Sequence, residues 1–265
     1  MKKLLYVLSA AVLCTALLAG CDKGKGQDQG QAQSKPEVSL TVFAAASLTE
    51  ALNEIAGLYK SAAPEVTLNF NFESSGTLQT QIENGADADL FISAGQKQMD
   101  ALAGKFINDE TRKNVLINKV VLIVPENSAK GISSFEDVLT DKVKLVALGN
   151  PSVPVGQYSE EIFTFLKSWD KVSKKASLGS NVKEVLSQVE SGSVDCGVVY
   201  STDAATAKSV KVAASAPEGS HKPVVYPAAV VKESKNADAA LAYLGFLGSP
   251  DAAAVFTKIG FEVVK

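Results

Sequence analysis

SLTVFAAASLTEALNEIAGLYK (residues 39–60) carries the pattern on which the rest of the chain is built. Residues 39–44 read as a strand. Leu48, Leu52, Ile55 and Tyr59 then recur three or four residues apart, which puts them on one face of a helix. Between the two lies Ala44-Ala45-Ala46-Ser47, a handover from strand to helix made of small residues. Ser47 and Glu50 have the spacing of a capping box, a hydroxyl at the helix start and a carboxylate three residues on. Two uses stay open for Ser47. It can cap its own helix, or it can face a bound group that three alanines allow close to the backbone.

The alternation continues outward from this unit. Val66, Leu68, Phe70 and Phe72 alternate with polar residues, a strand signal. Residues 76–83 read as a short helix stopped by Asn84-Gly85. Residues 89–93 and 119–124 read as strands, the second nearly all apolar and therefore central. Residues 144–148 form the next strand. Residues 156–169 form a helix with Ile162, Phe163, Leu166 and Trp169 on one face, and residues 182–190 another, ending at Ser191-Gly192. Residues 194–200 and 210–213 are strands, and 224–231 is extended despite Pro227. Two helices close the chain at 237–247 and 250–258, with Pro250 in a first turn and Gly260 as a stop. The fold class is α/β. In such folds ligands lie beyond the carboxyl ends of the strands, where strands hand over to helices.

Composition bounds the possibilities. The chain has 265 residues, 46% hydrophobic and 21% charged, enough for one large domain or two lobes. A formal net charge of -3, with no basic stripe, argues against a nucleic-acid partner. Met1-Lys2-Lys3 precedes an apolar run over 4–18, the pattern of a signal peptide rather than a membrane span. The run ends in Leu18-Ala19-Gly20-Cys21, which resembles the lipobox of bacterial lipoproteins. Residues 1–20 are thus expected to be removed, leaving Cys21 as a lipidated N-terminus that anchors the protein to a membrane. Asp22 resembles the signal that keeps Gram-negative lipoproteins on the outer leaflet of the inner membrane. Residues 21–37 then form the lipidated cysteine and a flexible polar tether. Cys14 lies in the removed segment and Cys21 is acylated, so only Cys196 remains and no disulfide framework exists. Cys196 sits in an apolar run, as a buried small hydrophobe.

Four loops stand at strand-to-helix handovers and present Ser47, Ser75, Val155 and Val182. A helix start carries free N–H groups and a partial positive charge, which suits an anion. Glu73-Ser74-Ser75-Gly76-Thr77 offers backbone amides and hydroxyls together, as an anion cradle or a polar turn would. In Asn150-Pro151-Ser152-Val153-Pro154-Val155-Gly156 the prolines stiffen the loop, and Val155 has only its amide to offer. Asn181 and Glu184 have the spacing of another cap pair, with Val182 again limited to its amide. Lys183, the one cation near these loops, is expected to be solvated. Tyr200 ends an apolar strand, where its phenol could donate without a formal charge.

Other chemistries lack their residues. His221 is the only histidine, with no cluster at metal-ligand spacing, so no metal is expected. The sequence shows no Ser-His-Asp arrangement, nucleophile elbow, Walker A loop or dinucleotide fingerprint. Neither enzymatic activity nor a cofactor is expected.

The ordered set of motifs resembles the molybdate-binding proteins that serve ABC-type uptake transporters. It comprises Thr41-Val42-Phe43-Ala44-Ala45-Ala46-Ser47-Leu48-Thr49, Ser74-Ser75 before Thr77-Leu78, Ala88-Asp89-Leu90-Phe91-Ile92-Ser93-Ala94, Pro154-Val155-Gly156, Val182, and Gly197-Val198-Val199-Tyr200. The resemblance implies the two-lobed periplasmic binding protein fold, with a hinge and a ligand cleft between the lobes. It places lobe 1 at 38–118 and 228–265 and lobe 2 at 119–227. It implies that molybdate, and tungstate too, is held by the hydroxyls of Ser47, Ser75 and Tyr200 and the amides of Val155 and Val182. The implied partners are that oxyanion and a membrane ABC permease, for an extracytoplasmic, lipid-anchored monomer. Two features depart from the family pattern: Gly76 stands where a serine is common, and Glu73 where a small residue is common. Glu73 is expected to face solvent. The rival readings are a receptor for sulfate or another tetrahedral oxyanion, a surface serine hydrolase pairing Ser47 or Ser75 with His221, and a structural lipoprotein.

Overall fold

A computed structural model describes residues 36–264. The signal segment, Cys21 and the tether up to residue 35 lie outside the described residues. From the N-terminal side, β1 (Val38–Ala45) leads through a 3-10 turn (Ala46–Leu48) into α1 (Thr49–Ala62). Next come β2 (Val66–Glu73), α2 (Ser75–Glu83), β3 (Leu90–Ile92), α3 (Gln96–Leu102) and β4 (Lys113–Asn118). β5 (Val120–Pro125), β6 (Val146–Gly149), α4 (Pro154–Phe165), α5 (Trp169–Val172), β7 (Ala176–Gly179), α6 (Val182–Glu190), β8 (Cys196–Tyr200), α7 (Ser201–Thr206) and β9 (Val210–Ser215) follow. The chain ends with β10 (Val224–Val230), α8 (Ala237–Phe246), α9 (Pro250–Ile259) and β11 (Glu262–Val263).

These strands form two sheets, with orders β11-β4-β10-β3-β1-β2 and β7-β6-β8-β5-β9. The parallel neighbours β2, β1 and β3 in one sheet, and β7, β6 and β8 in the other, are joined by crossover helices. The chain passes between the sheets at Lys119, from β4 to β5, and again from β9 to β10. β10 belongs wholly to the first sheet, pairing with β4 from Val224↔Asn118 onward. The near-continuous apolar run of β5 lies between β8 and β9, inside its sheet as its composition requires.

Three local expectations are corrected. The helix expected over 156–169 begins at Pro154 and stops at Phe165. Lys167 takes a left-handed conformation (φ 54°), and the Ser168 amide donates to the Phe163 carbonyl at 2.7 Å, closing the helix end. Trp169 instead opens the separate short helix α5. The strand expected from residue 144 starts at Val146, because the Lys144 and Leu145 amides donate to the Asp195 carboxylate, at 2.6 and 3.2 Å. The capping box at Ser47 is not formed: Leu48 is the cap residue of α1, and no side chain caps it. Elsewhere the end signals hold. Asn181 accepts the Glu184 amide at 3.0 Å, and Gly260 ends α9 in the left-handed conformation. Cys196 is fully buried, and burial pushes its thiol up to about 12, the behaviour of an inert apolar residue.

Candidate anion-binding site

Three helix starts and one 3-10 turn meet around a small cavity. Ala45, Ala46, Ser47, Glu73, Ser74, Ser75 and Ala94 line it from the elements of the first sheet. Val153, Pro154, Val182 and Tyr200 line it from those of the second. Ser47, Ser75, Val182 and Tyr200 are thus brought together, and Val155 follows Pro154 as the second residue of α4. Among the described residues, no lysine or arginine lines the cavity.

The candidate donors at or beside the cavity are left free for local reasons. Ser74, not Ser75, caps α2, accepting the Thr77 amide at 3.1 Å. Ser75 is thereby the first helical residue, and its hydroxyl oxygen accepts the Ala94 amide at 2.9 Å. Pro154 has no N–H, and the Gly156 and Gln157 amides donate back to the Val153 carbonyl. The first free amide of α4 is therefore that of Val155. Asn181 caps α6 at Glu184, which leaves the Val182 amide at the helix start unpaired among the described residues. The starts of α2, α4 and α6 add their partial positive charges where no formal cation stands. Tyr200 is 1% exposed at the end of β8, and its hydroxyl has no hydrogen-bond partner among the described residues. Burial holds its phenol well above the ordinary tyrosine range, so it stays protonated and can only gain by donating.

Gly76 explains itself by contact. A β-carbon there would lie 2.2 Å from the carbonyl oxygen of Ser152, so a serine at this position would clash with the loop before α4. Absence of a side chain lets α2 approach that loop closely.

Residues 40–262 match the model of one protein family, described as bacterial extracellular solute-binding protein. The chain belongs to that family. It is 40% identical over 98% of its length to the "Putative ABC transporter substrate-binding lipoprotein YvgL" of Bacillus subtilis (strain 168), covering 99% of that protein. It is 42% identical to the molybdate-binding protein ModA of Haemophilus influenzae, over 84% of this chain and 89% of that one. The solved periplasmic molybdate-binding protein of Azotobacter vinelandii superposes with a TM-score of 0.75 at 24% identity, covering 85% of this chain and all of the other. That likeness establishes the fold as the two-lobed periplasmic binding protein architecture.

In this solute-binding protein the charged residues nearest the site lie where the sequence did not put them. Glu73 was expected in solvent, but it is half-buried, lines the cavity, and accepts from Asn181 Nδ2 at 3.3 Å. Lys183 was expected to be solvated, but its ammonium lies 2.8 Å from Glu50 and 3.0 Å from the fully buried carboxylate of Asp203. Burial alone would lower the Lys183 ammonium, but Asp203 and Glu50 outweigh it and hold it above the ordinary lysine value. Both contacts tie α6 to elements of the first sheet, Glu50 on α1 and Glu73 on β2.

The hydroxyls a hydrolase would need are engaged otherwise. Ser47 Oγ meets Tyr226 at 2.9 Å and Ser75 Oγ accepts Ala94, whereas the His221 ring lies edge-on to Tyr158. His221 instead lines a larger, open groove whose walls carry Asp100, Glu160 and Glu161 together with Lys97 and Lys222. Sequence reasoning missed Tyr226 and Asn118 beside the site. They lie 179 and 71 residues from Ser47 along the chain, and only the sheet pairing brings them together.

Proposed function

We propose that this chain is the receptor that captures molybdate, and tungstate with it, in the cavity at Ser47, Ser75, Val155, Val182 and Tyr200, and hands it to a membrane ABC permease. The observation that carries the reading is the wall itself: two serine hydroxyls, a buried phenol and the free starts of three helices, with no partner for the phenol and no cation in the wall among the described residues. Such a wall offers hydrogens to a dianion that has only acceptors. The 42% identical Haemophilus relative bears the name of a molybdate-binding protein, which supports molybdate as the occupant. The two sheets with their helices serve as the lobes, and the two chain crossings between them as the hinge. Closure then follows from a ligand that bonds to both lobes and so favours the state in which both are near. One chain supplies every wall of the cavity, so a monomer suffices. Cys21, acylated after removal of residues 1–20, would tether it outside the cytoplasm, in keeping with the lipoprotein name of the Bacillus relative.

Calorimetric titration of the purified chain with molybdate, tungstate, sulfate and phosphate tests this. Tight binding of the first two, weak binding of sulfate and weaker binding still of phosphate is expected. Sulfate also carries only acceptors, so equal affinity for sulfate and molybdate would make the protein a general oxyanion receptor. No heat from any of the four would end the receptor reading.

A further inference from the structure

We propose that Tyr226 and Asn118 are positioning residues that orient the Ser47 hydroxyl as a donor toward the bound oxyanion. The proposal rests on the receptor reading and names what sets its specificity. Asn118 ends β4, where the chain crosses between the sheets. Its carboxamide has one possible orientation. The Lys119 amide donates to Oδ1 at 2.8 Å and the Ser201 hydroxyl does so at 3.0 Å, which turns Nδ2 toward Thr202 Oγ1 at 2.9 Å and the Tyr226 hydroxyl at 3.2 Å. An amide nitrogen only donates, so the Tyr226 oxygen accepts there. Tyr226 is fully buried, and burial holds its phenol well above the ordinary range, so it keeps its own proton. The partner left for that proton, among the described residues, is Ser47 Oγ at 2.9 Å. With its oxygen accepting from Tyr226, Ser47 has its own proton free for the cavity.

Ser75 reaches the same state by another route, because its oxygen already accepts the Ala94 amide. Both serines therefore have their acceptor side engaged by protein and turn protons inward, as do the Val155 and Val182 amides and the Tyr200 phenol. A fully deprotonated oxyanion satisfies every one of them. An oxyanion that carries a proton, such as hydrogen phosphate, brings a donor to a wall of donors and leaves it unpaired. Tyr226 and Asn118 thus act on selectivity without touching the ligand.

A double-mutant cycle decides the matter. Molybdate and hydrogen phosphate affinities are measured at neutral pH for the wild type, Ser47→Ala, Tyr226→Phe and the double variant, with thermal unfolding of each. Tyr226→Phe is expected to weaken molybdate about 10-fold and to narrow the gap between molybdate and hydrogen phosphate. In the Ser47→Ala background the same change is expected to cost less than about twofold, because the hydroxyl it orients is gone. An equal loss in both backgrounds would make Tyr226 a packing residue and overturn the proposal, as would a full 10-fold loss with selectivity intact. Asn118→Asp is the second variant, needed if Tyr226→Phe does not fold. It reverses the chain of donors, and its loss should shrink in the Ser47→Ala background, whereas additivity would count against the relay. A wild type that binds no oxyanion would refute the receptor reading instead, an outcome separate from any result of the cycle.

Discussion

Tyr200→Phe should move stability and affinity in opposite directions. In the ligand-free protein the Tyr200 hydroxyl is buried at 1% exposure and has no hydrogen-bond partner among the described residues. An unsatisfied buried polar group costs about 1–3 kcal/mol. Phenylalanine keeps the ring, with its edge-on contacts to Tyr158 and Tyr226, and removes the cost. Taking the low end, about 1 kcal/mol raises the midpoint of a domain this size by roughly 2–4 °C. With molybdate bound the sign reverses. The hydroxyl then donates to a charged group, a bond worth about 1.5–3 kcal/mol, so its loss should weaken binding about 10- to 150-fold. At a ligand concentration of about 1,000 times the wild-type Kd, ligand stabilises the wild type by about 4 kcal/mol. A variant weakened 100-fold keeps only about 1.4 kcal/mol of that. The two proteins should therefore exchange order in a thermal melt: the variant higher without molybdate, the wild type higher with it. Calorimetry supplies the affinities and differential scanning fluorimetry the midpoints. A variant that melts lower without ligand and binds as tightly as wild type would show the phenol to be structural, and the donor assignment would fall.

Three further substitutions probe the surroundings of the site. Gly76→Ala puts a β-carbon against the Ser152 carbonyl and forces roughly 1 Å of separation between α2 and the loop before α4. Thermal unfolding of the ligand-free protein should show a loss of about 1–3 kcal/mol, the cost of overpacking, and an unchanged melting point would refute the contact. Glu73→Gln removes a carboxylate from the cavity wall while keeping an oxygen for Asn181, so molybdate should bind severalfold tighter, on the order of 1 kcal/mol. That gain should fade as salt is raised, and weaker binding at low salt would contradict it. Lys183→Met leaves the buried Asp203 carboxylate without its counter-charge, and urea unfolding at neutral pH should show a loss of about 3 kcal/mol. Burial already holds the Asp203 carboxyl above its ordinary value despite Lys183, so without Lys183 stability should recover as pH falls through its folded value. In the wild type the raised Lys183 ammonium stabilises the fold fully below the ordinary lysine value of 10.5, and that contribution is lost as pH rises through its folded value. A flat difference between the two proteins across both ranges would contradict the ion-pair assignment.

The strand-helix alternation was legible because its signals are local. β1, α1, β2 and α6 carry clean periods, and Asn181 and Gly260 end their helices as expected. α7 was not legible, since its buried residues include Thr202 and Asp203 and a polar inner face leaves no hydrophobic period. β4 hides for a similar reason, with Lys113, Asn114 and Asn118 around a short apolar stretch. The site was half legible. Loop composition led to Ser47, Ser75, Val155, Val182 and Tyr200, but the charge pattern around them was not in the loops. Lys183 and Glu73 read as solvated in one dimension because their partners Glu50 and Asn181 lie 133 and 108 residues away. The capping-box reading of Ser47 failed for the same cause: the competing partner, Tyr226, lies 179 residues off.

The placement of charge answers a problem that any receptor for a dianion faces. A lysine in the cavity would attract the ligand strongly, but it would also attract every other anion and lose its hydration each time the cleft emptied. Here the cation stands just outside, on the residue after the Val182 amide, and its charge is already matched by Glu50 and Asp203. It therefore contributes little net attraction to the anion. Its work is mechanical, holding the start of α6, and so the Val182 amide, against α1 of the other lobe. Recognition is left to dipoles with fixed directions, and directions can discriminate where a point charge cannot. A donor aimed by the protein donates to an oxyanion lone pair and cannot accept a proton, so under the proposed roles discrimination is set by which way Ser47 and Ser75 are turned. That division assigns adhesion between the lobes to the Lys183–Glu50 ion pair and choice of ligand to the neutral groups. It requires that Lys183→Met disturb stability and overall affinity while leaving the ratio of molybdate to hydrogen phosphate binding intact, and that Tyr226→Phe change that ratio.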